Sequence, residues 1–310
     1  MDMNNPIYIE NDYIPTEAIV PDEAIEKVEA QPQPQIPVPE AAPADTAAKI
    51  SVGISSLIGS RKVQQDCARA DDPEKYRENN IFLAVMCDGM GGMTGGEIAS
   101  NLVVTKLFDA FYSFEVAGKA PAFFRYMVDE LDKAVYNLTD ENGHPLHSGS
   151  TLTAVIIEGR SLYWVSVGDS RIYLKRGGEI VCVTEDHNYS LLLERKVKSG
   201  AITREQADND PEKDALISFM GIGGVRYIDI NPNPVELMDG DCVLLCSDGL
   251  YRVLSKEDIG SIIDSFYENT SIAAEALTNA AVGMGKRNQD NTTAVLLRFT
   301  EGSRPAEAAL

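Results

Sequence analysis

Histidine, cysteine and basic residues are all scarce in this chain, and each scarcity excludes something. Three histidines and five cysteines leave little for a zinc centre, and no two Cys/His pairs carry its spacing. Five is an odd number, and the cysteines show no disulfide-scaffold rhythm. Cys182, Cys242 and Cys246 fall in strand-like runs, with Cys242 and Cys246 on one face of the sheet. They read as small buried hydrophobes in a reducing compartment. Only 27 Lys and Arg stand against 48 Asp and Glu, a formal net charge of −21. That lacks the basic footprint of a nucleic-acid binder or of an electrostatic membrane anchor. No stretch reaches about 18 uninterrupted apolar residues, so no membrane insertion is expected. Met1-Asp2-Met3-Asn4-Asn5-Pro6 has neither the basic nor the apolar region of a secretory signal. The expectation is a soluble cytoplasmic protein that binds neither nucleic acid nor membrane.

What is present is globular material behind a distinct extension. The composition, 44% hydrophobic, is enough for a sizeable core. Residues 1–49 hold eight of the fifteen prolines and ten acidic residues against two lysines. That composition predicts a disordered extension leaning to polyproline II, and residues 301–310 read as a tail. Between them the 50–300 domain alternates in blocks. Strands are predicted at 49–57, 81–86, 150–157, 161–167, 171–176, 180–183, 225–230, 241–246 and 292–299. A long amphipathic helix opens at Gly96-Glu97 with Ile98, Leu102, Leu107, Phe108 and Phe111 at helical spacing. A second fits 123–138. Thr203-x-x-Gln206 and Ser255-x-x-Asp258 are capping boxes, and Thr270 is read as the cap of a last helix. Many hairpins plus two helix pairs suggest antiparallel sheets with helices outside them.

Two acidic turns each close an apolar run: Cys87-Asp88-Gly89 after 81–86 and Ser247-Asp248-Gly249 after 242–246. A carboxylate at the mouth of a buried strand is unfavourable unless something positive satisfies it. The glycine after each lets the backbone turn and approach a ligand closely. Two further blocks, Arg61-Lys62-Val63-Gln64-Gln65-Asp66 and Asn288-Gln289-Asp290-Asn291-Thr292-Thr293, also place an Asp at a strand edge. Hard oxygen ligands without convergent His or Cys favour Mg²⁺ or Mn²⁺ over zinc. Several carboxylates around two such ions suit activation of water for in-line attack on phosphorus. Arg61 adds a planar donor fork that matches phosphate.

These blocks, with Gly149-Ser150-Thr151, Val167-Gly168-Asp169-Ser170-Arg171, Thr184-Glu185-Asp186-His187 and Gly200-Ala201-Ile202-Thr203, resemble the metal-dependent protein phosphatases of the PPM, or protein phosphatase 2C, type. The resemblance runs from about Lys49 to Phe299, and Asp-Gly-Met-Gly-Gly is its bacterial form. It implies an α/β/β/α sandwich of two antiparallel sheets flanked by helices, with a flap at about 189–224. It implies that Asp66, Asp88, Asp248 and the Gly89 carbonyl hold two Mn²⁺ or Mg²⁺ ions, with Asp290 completing the set. Arg61 would grip the substrate phosphate and Asp66 belongs to the catalytic group. Asn291 and Asp169 are supporting candidates, Asp169 as a hydrogen-bonding turn residue. The implied activity is hydrolysis of phosphoserine and phosphothreonine in phosphoproteins by a monomer, opposite a cognate Ser/Thr kinase.

The chain also departs from that pattern. Met90 stands where eukaryotic members carry His, which leaves protonation of the leaving group to metal-bound water. His147-Ser148 replaces an acid that a third ion would use, and Gln65 replaces a Glu. The flap run Asp208-Asn209-Asp210-Pro211-Glu212-Lys213-Asp214 is acidic where relatives are more basic. Two other readings stand beside the phosphatase. One is a catalytically silent phosphoprotein-binding scaffold, whose usual mark is loss of a metal Asp. The other is a metal-dependent phosphodiesterase or nuclease, which the acidic balance and the lack of a basic-aromatic groove disfavour.

Overall fold

The structure, a computed structural model, describes residues 48–91, 95–284 and 288–301. In chain order its elements begin with β1 (Lys49–Leu57), β2 (Cys67–Ala70), α1 (Pro73–Asn79), β3 (Ile81–Cys87), β4 (Gly89–Met90), α2 (Gly95–Ser113) and α3 (Ala120–Tyr136). They continue with β5 (Gly149–Ser150), β6 (Leu152–Glu158), β7 (Ser161–Val167), β8 (Arg171–Arg176), β9 (Glu179–Cys182), α4 (Tyr189–Lys198) and α5 (Arg204–Asp208). The last are β10 (Asp229–Ile230), β11 (Val235–Glu236), β12 (Cys242–Cys246), α6 (Asp248–Tyr251), α7 (Lys256–Ser265), α8 (Thr270–Gly283) and β13 (Thr292–Thr300).

The strands form two main sheets, both antiparallel. One runs β1-β13-β12-β8-β9, and the other β10-β7-β6-β3-β2 with β11 also on β7. The apolar runs are continuous because both faces of each sheet are covered. Along β3, Phe82, Ala84 and Met86 face the other sheet, where they meet Leu174, Val243, Leu245, Val295 and Leu297. Leu83, Val85 and Cys87 face α2 and α3. On the second sheet Cys242, Leu244, Cys246, Ala294 and Leu296 pack under α7 and α8. The period-2 alternation of a strand thus feeds two cores at once, and the result is four layers, α/β/β/α. Cys242 and Cys246 do share a face, the one under the helices.

Three local expectations need correction. The buried face of α2 is Gly95, Gly96, Ala99, Ser100, Val103, Val104, Leu107, Phe108 and Phe111, while Ile98 is 42% exposed and Leu102 half-buried. Leu107, Phe108 and Phe111 lie on that face as predicted, but its first turns are marked by small residues, because a Cβ on Gly96 would meet the Gln65 side chain at 2.6 Å. The predicted strand at 225–230 narrows to Asp229 and Ile230; upstream, the Tyr227 carbonyl accepts from Ser218 Oγ at 2.7 Å instead of pairing in the sheet. The cap of α8 is Asn269, whose side chain accepts from Ile272 N. Both capping boxes form, at Thr203/Gln206 and Ser255/Asp258. Helix α1, absent from the sequence reading, has Asp72 as its cap and Pro73 in its first turn. The acidic extension, except Ala48 and Lys49, the Gly92–Thr94 part of the glycine run, and the tail beyond Glu301 lie outside the described residues.

Candidate active site

Antiparallel pairing explains why four distant aspartates gather. Cys67 of β2 is registered opposite Cys87 of β3, so Asp66, just before β2, and Asp88, just after β3, share one edge of the first sheet. Cys246 of β12 is opposite Ala294 of β13, so Asp248, just after β12, and Asp290, just before β13, share one edge of the second. The two edges meet: Ser247 Oγ donates to Asp66 Oδ2 at 2.8 Å and accepts from Thr293 N at 2.9 Å. The glycines of the Asp-Gly turns serve close backbone packing. A Cβ on Gly89 would lie 2.1 Å from the Gly96 carbonyl oxygen, and one on Gly249 2.1 Å from that of Asn291. The sequence reading assigned that closeness to a ligand; the structure fills it with the chain itself.

The carboxylates are held in a common way. Asp66 has Oδ2 on Ser247, and Asp248 has Oδ2 on Arg252 Nε at 2.9 Å. Their other oxygens, Asp66 Oδ1 and Asp248 Oδ1, are buried with no hydrogen-bond partner among the described residues. Asp290 takes Arg61 Nη2 on Oδ2 at 2.7 Å and the Asn291 amide on Oδ1 at 2.8 Å. Burial, with Asp290 adding to it against the hydroxyls of Thr293 and Ser247, raises the Asp66 carboxyl to about 6. Burial and the Asp169 charge raise Asp248 to about 7 against the pull of Arg252. Asp88 is pushed well up, by burial first and then by Asp66, Asp248, Asp169 and Asp290. Arg61 is raised by its bond to Asp290.

Such a cluster is short of positive charge. Its donors are all oxygens, and two of them are buried without partners, which fits hard divalent cations. Among the described residues no group of three or more His, Cys, Asp or Glu is placed to hold one ion unaided. Arg61 and Arg252 draw Asp290 and Asp248 toward themselves.

The supporting residues have readable roles. Asn291 is 4% exposed, accepts from Gln65 N, and donates to the carbonyls of Ile58 and Val63. It clamps the loop that carries Arg61. Gln65 donates its amide to the Gly91 carbonyl at 3.2 Å, a bond that an ionised Glu could not make. Asp169 accepts from Arg252 Nη2 at 3.2 Å. Arg171 forks onto Asp186 at 2.9 and 2.7 Å and stacks on the Tyr251 ring of α6. His187 orders the corner before the flap: its Nδ1 accepts from Gly168 N, and its carbonyl accepts from Ile217 N. His147 is exposed, with φ 46°. The sequence reading missed Arg252 and the bridging role of Ser247. Arg252 had a signal, an opposite charge four residues after Asp248 at the start of a helix.

Four layers with clustered, largely buried aspartates where the strand ends of the two sheets meet make an all-oxygen site that fits divalent cations. The protein phosphatase 2C family model matches residues 58–283. The chain is 28% identical to the serine/threonine phosphatase stp of Listeria monocytogenes over 234 residues, 74% of this chain and 90% of that one. Of solved structures, the Mycobacterium tuberculosis serine/threonine phosphatase PstP/Ppp is similar at TM-score 0.67 and 28% identity, over 82% of this chain and 99% of that one. The PstP catalytic domain in complex with two manganese ions is similar at TM-score 0.64 and 28% identity, over 82% of this chain and 100% of that one. The chain belongs to the protein phosphatase 2C family, the metal-dependent protein phosphatases.

Proposed function

We propose that this protein removes phosphate from phosphoserine and phosphothreonine side chains of proteins at a centre of two Mn²⁺ or Mg²⁺ ions. The observation that carries the reading is the pair of buried, unpartnered oxygens, Asp66 Oδ1 and Asp248 Oδ1, inside a four-carboxylate cleft. The names of the relatives and the two manganese ions of the PstP complex support it. Asp66, Asp88, Asp248, Asp290 and the Gly89 carbonyl would hold the ions, with water completing the ligand shells. When bound, the ions supply Lewis-acid activation of water and neutralise charge developing on phosphorus. A third ion is left out of the assignment, because His147-Ser148 stands where the family pattern puts the acid that such an ion would use.

The chain's own residues do the rest. Arg61 stands 55% exposed at the edge, where its free donors can orient a phosphate bidentately. Asp290 and the Asn291 clamp hold Arg61 in place. Ser247 fixes Asp66 with Oδ1 inward. The region 50–300 is assigned as the catalytic domain, with 189–224 as its flap and 1–49 as an appended extension. A monomer working in the cytoplasm opposite a Ser/Thr kinase completes the reading.

Hydrolysis of p-nitrophenyl phosphate with Mn²⁺, with Mg²⁺ and with EDTA tests it. Activity that requires the metal and vanishes in EDTA is expected. A folded protein inactive with either metal would turn the reading to a silent phosphoprotein-binding relative. Preference for bis-(p-nitrophenyl) phosphate would turn it to a phosphodiesterase.

A further inference from the structure

Arg252 caps the C-terminus of α6, outside every motif that marks the cleft, yet it meets three carboxylates from three segments. Its Nε donates to Asp248 Oδ2 at 2.9 Å and its Nη2 to Asp169 Oδ2 at 3.2 Å, and its Nη1 lies 3.8 Å from Asp214 Oδ2. Asp169 sits in the turn between β7 and β8, and Asp214 sits in the flap. The side chain is 40% exposed, so its inner contacts are shielded while the arm toward Asp214 is at the surface.

The consequence for Asp248 is geometric. With Oδ2 held by a planar guanidinium, the carboxylate cannot rotate freely, and Oδ1 stays buried and unpartnered among the described residues. A ligating carboxylate is generally oriented by such an outer hydrogen bond. The consequence for the flap is a tether. Flap backbone around Asp214 is already bonded to the start of α4, through Tyr189 N to Ala215 O and Ser190 N to Lys213 O. Arg252 adds the link from that packed unit to the cleft.

We propose that Arg252 is a positioning residue with two linked tasks: it fixes Asp248 for cation binding, and it latches the flap to the centre through Asp214. This rests on the reading of Asp248 as a cation ligand. Occupancy of the centre and order in the flap are then coupled, each favouring the other. A lysine cannot replace the fork, because one ammonium offers no rigid planar set of donors for three carboxylates.

The test combines Mn²⁺ calorimetry with hydrogen exchange of residues 204–217 in the full chain. Wild type is expected to bind Mn²⁺, and flap exchange is expected to slow when it does. Arg252→Gln should weaken Mn²⁺ binding about tenfold and abolish the slowing, and Arg252→Lys should restore neither fully. Asp214→Asn should lose the slowing and, because the coupling is reciprocal, bind Mn²⁺ more weakly than wild type but more tightly than Arg252→Gln. Arg252→Lys takes over the test if Arg252→Gln fails to fold. Unchanged Mn²⁺ affinity in the folded Arg252 variant, or flap slowing equal to wild type in the Arg252 and Asp214 variants, overturns the inference. If wild type binds no Mn²⁺, the metal reading itself has failed. The latch alone is then judged without metal: faster flap exchange in both variants sustains it, and unchanged exchange removes it.

Discussion

Asp248 is held from one side by Arg252 and left open on the other, and that asymmetry makes it the most informative residue to change. Asp248→Asn should lower turnover by a factor of about 10³ or more, as expected when a group that holds the activating cation is lost. The same change should stabilise the metal-free protein. Burial raises the folded carboxyl to about 7 from an ordinary 3.8, so between those values the folded state holds the extra proton. Metal-free stability therefore falls as pH rises through that window, and the variant escapes the loss by about 1–3 kcal/mol. Thermal melts in EDTA at pH 7.5 measure the difference; a variant less stable than wild type there would contradict the account. His187 has the opposite sign. Burial lowers it from 6.5 to about 4, so the unfolded chain holds the extra proton across that window. Its contribution is complete above about pH 6.5 and is lost as pH falls toward 4, by about 3 kcal/mol. A His187→Asn variant should lose that part of the acid dependence in urea titrations from pH 7 to pH 4. At this scale Asp88 and Asp248 stand out in the sequence because each follows an apolar run, and Asp290 because it precedes one, whereas Asp66, before Cys67-Ala68-Arg69-Ala70, is singled out only by the family resemblance. Ser247 and Arg252 do not stand out, because their roles depend on which oxygen of a distant carboxylate they reach.

Among the elements, the end of the flap shows how one buried side chain gathers several loop amides. Asp132 of α3 is 4% exposed, and its carboxylate accepts from the amides of Gly221, Gly223 and Gly224 at 2.7, 3.2 and 2.6 Å. Replacing it with Ala strands three amides, and the expected destabilisation is about 2–4 kcal/mol. Urea denaturation measures the total, and hydrogen exchange at 219–224 should show the loosening there first. The longer strands were legible from sequence because covered faces give continuous apolar runs, and β1, at 49–57, was placed to the residue; β2, β4 and β11, short and without such a run, were not. The buried face of α2 was legible in its second half, at Leu107, Phe108 and Phe111, but not in its first turns, where glycine, alanine and serine mark it. Nor was most of 225–230, where Asp132, holding Gly224, and Ser218, on the Tyr227 carbonyl, engage the segment instead of a sheet partner. The capping boxes were legible because their chemistry is local; α1, also announced locally by Asp72-Pro73, was overlooked for its brevity, at seven residues.

For the whole molecule, the decisive quantity is charge. A chain of net charge −21 that gathers carboxylates at the edge where two sheets meet should gain stability from divalent cations well beyond any effect of ionic strength. Mn²⁺ at about 100 times its Kd should add about 2.7 kcal/mol for each site bound only in the folded state. Melting curves with Mn²⁺ and with EDTA at constant ionic strength check this; coincident curves would contradict it. The architecture was legible because two antiparallel sheets, helices outside and Asp at strand ends all agree with one family pattern. The physical reason for the convergence, edges of two sheets brought together through Ser247 and Asp66, needed the structure. The most direct test of the central claim is release of inorganic phosphate from a phosphothreonine peptide as Mn²⁺ is titrated in and then removed with EDTA. Release that saturates with Mn²⁺, stops in EDTA and returns on re-addition is the predicted result. Release indifferent to EDTA, or none from a folded protein saturated with Mn²⁺, would contradict it.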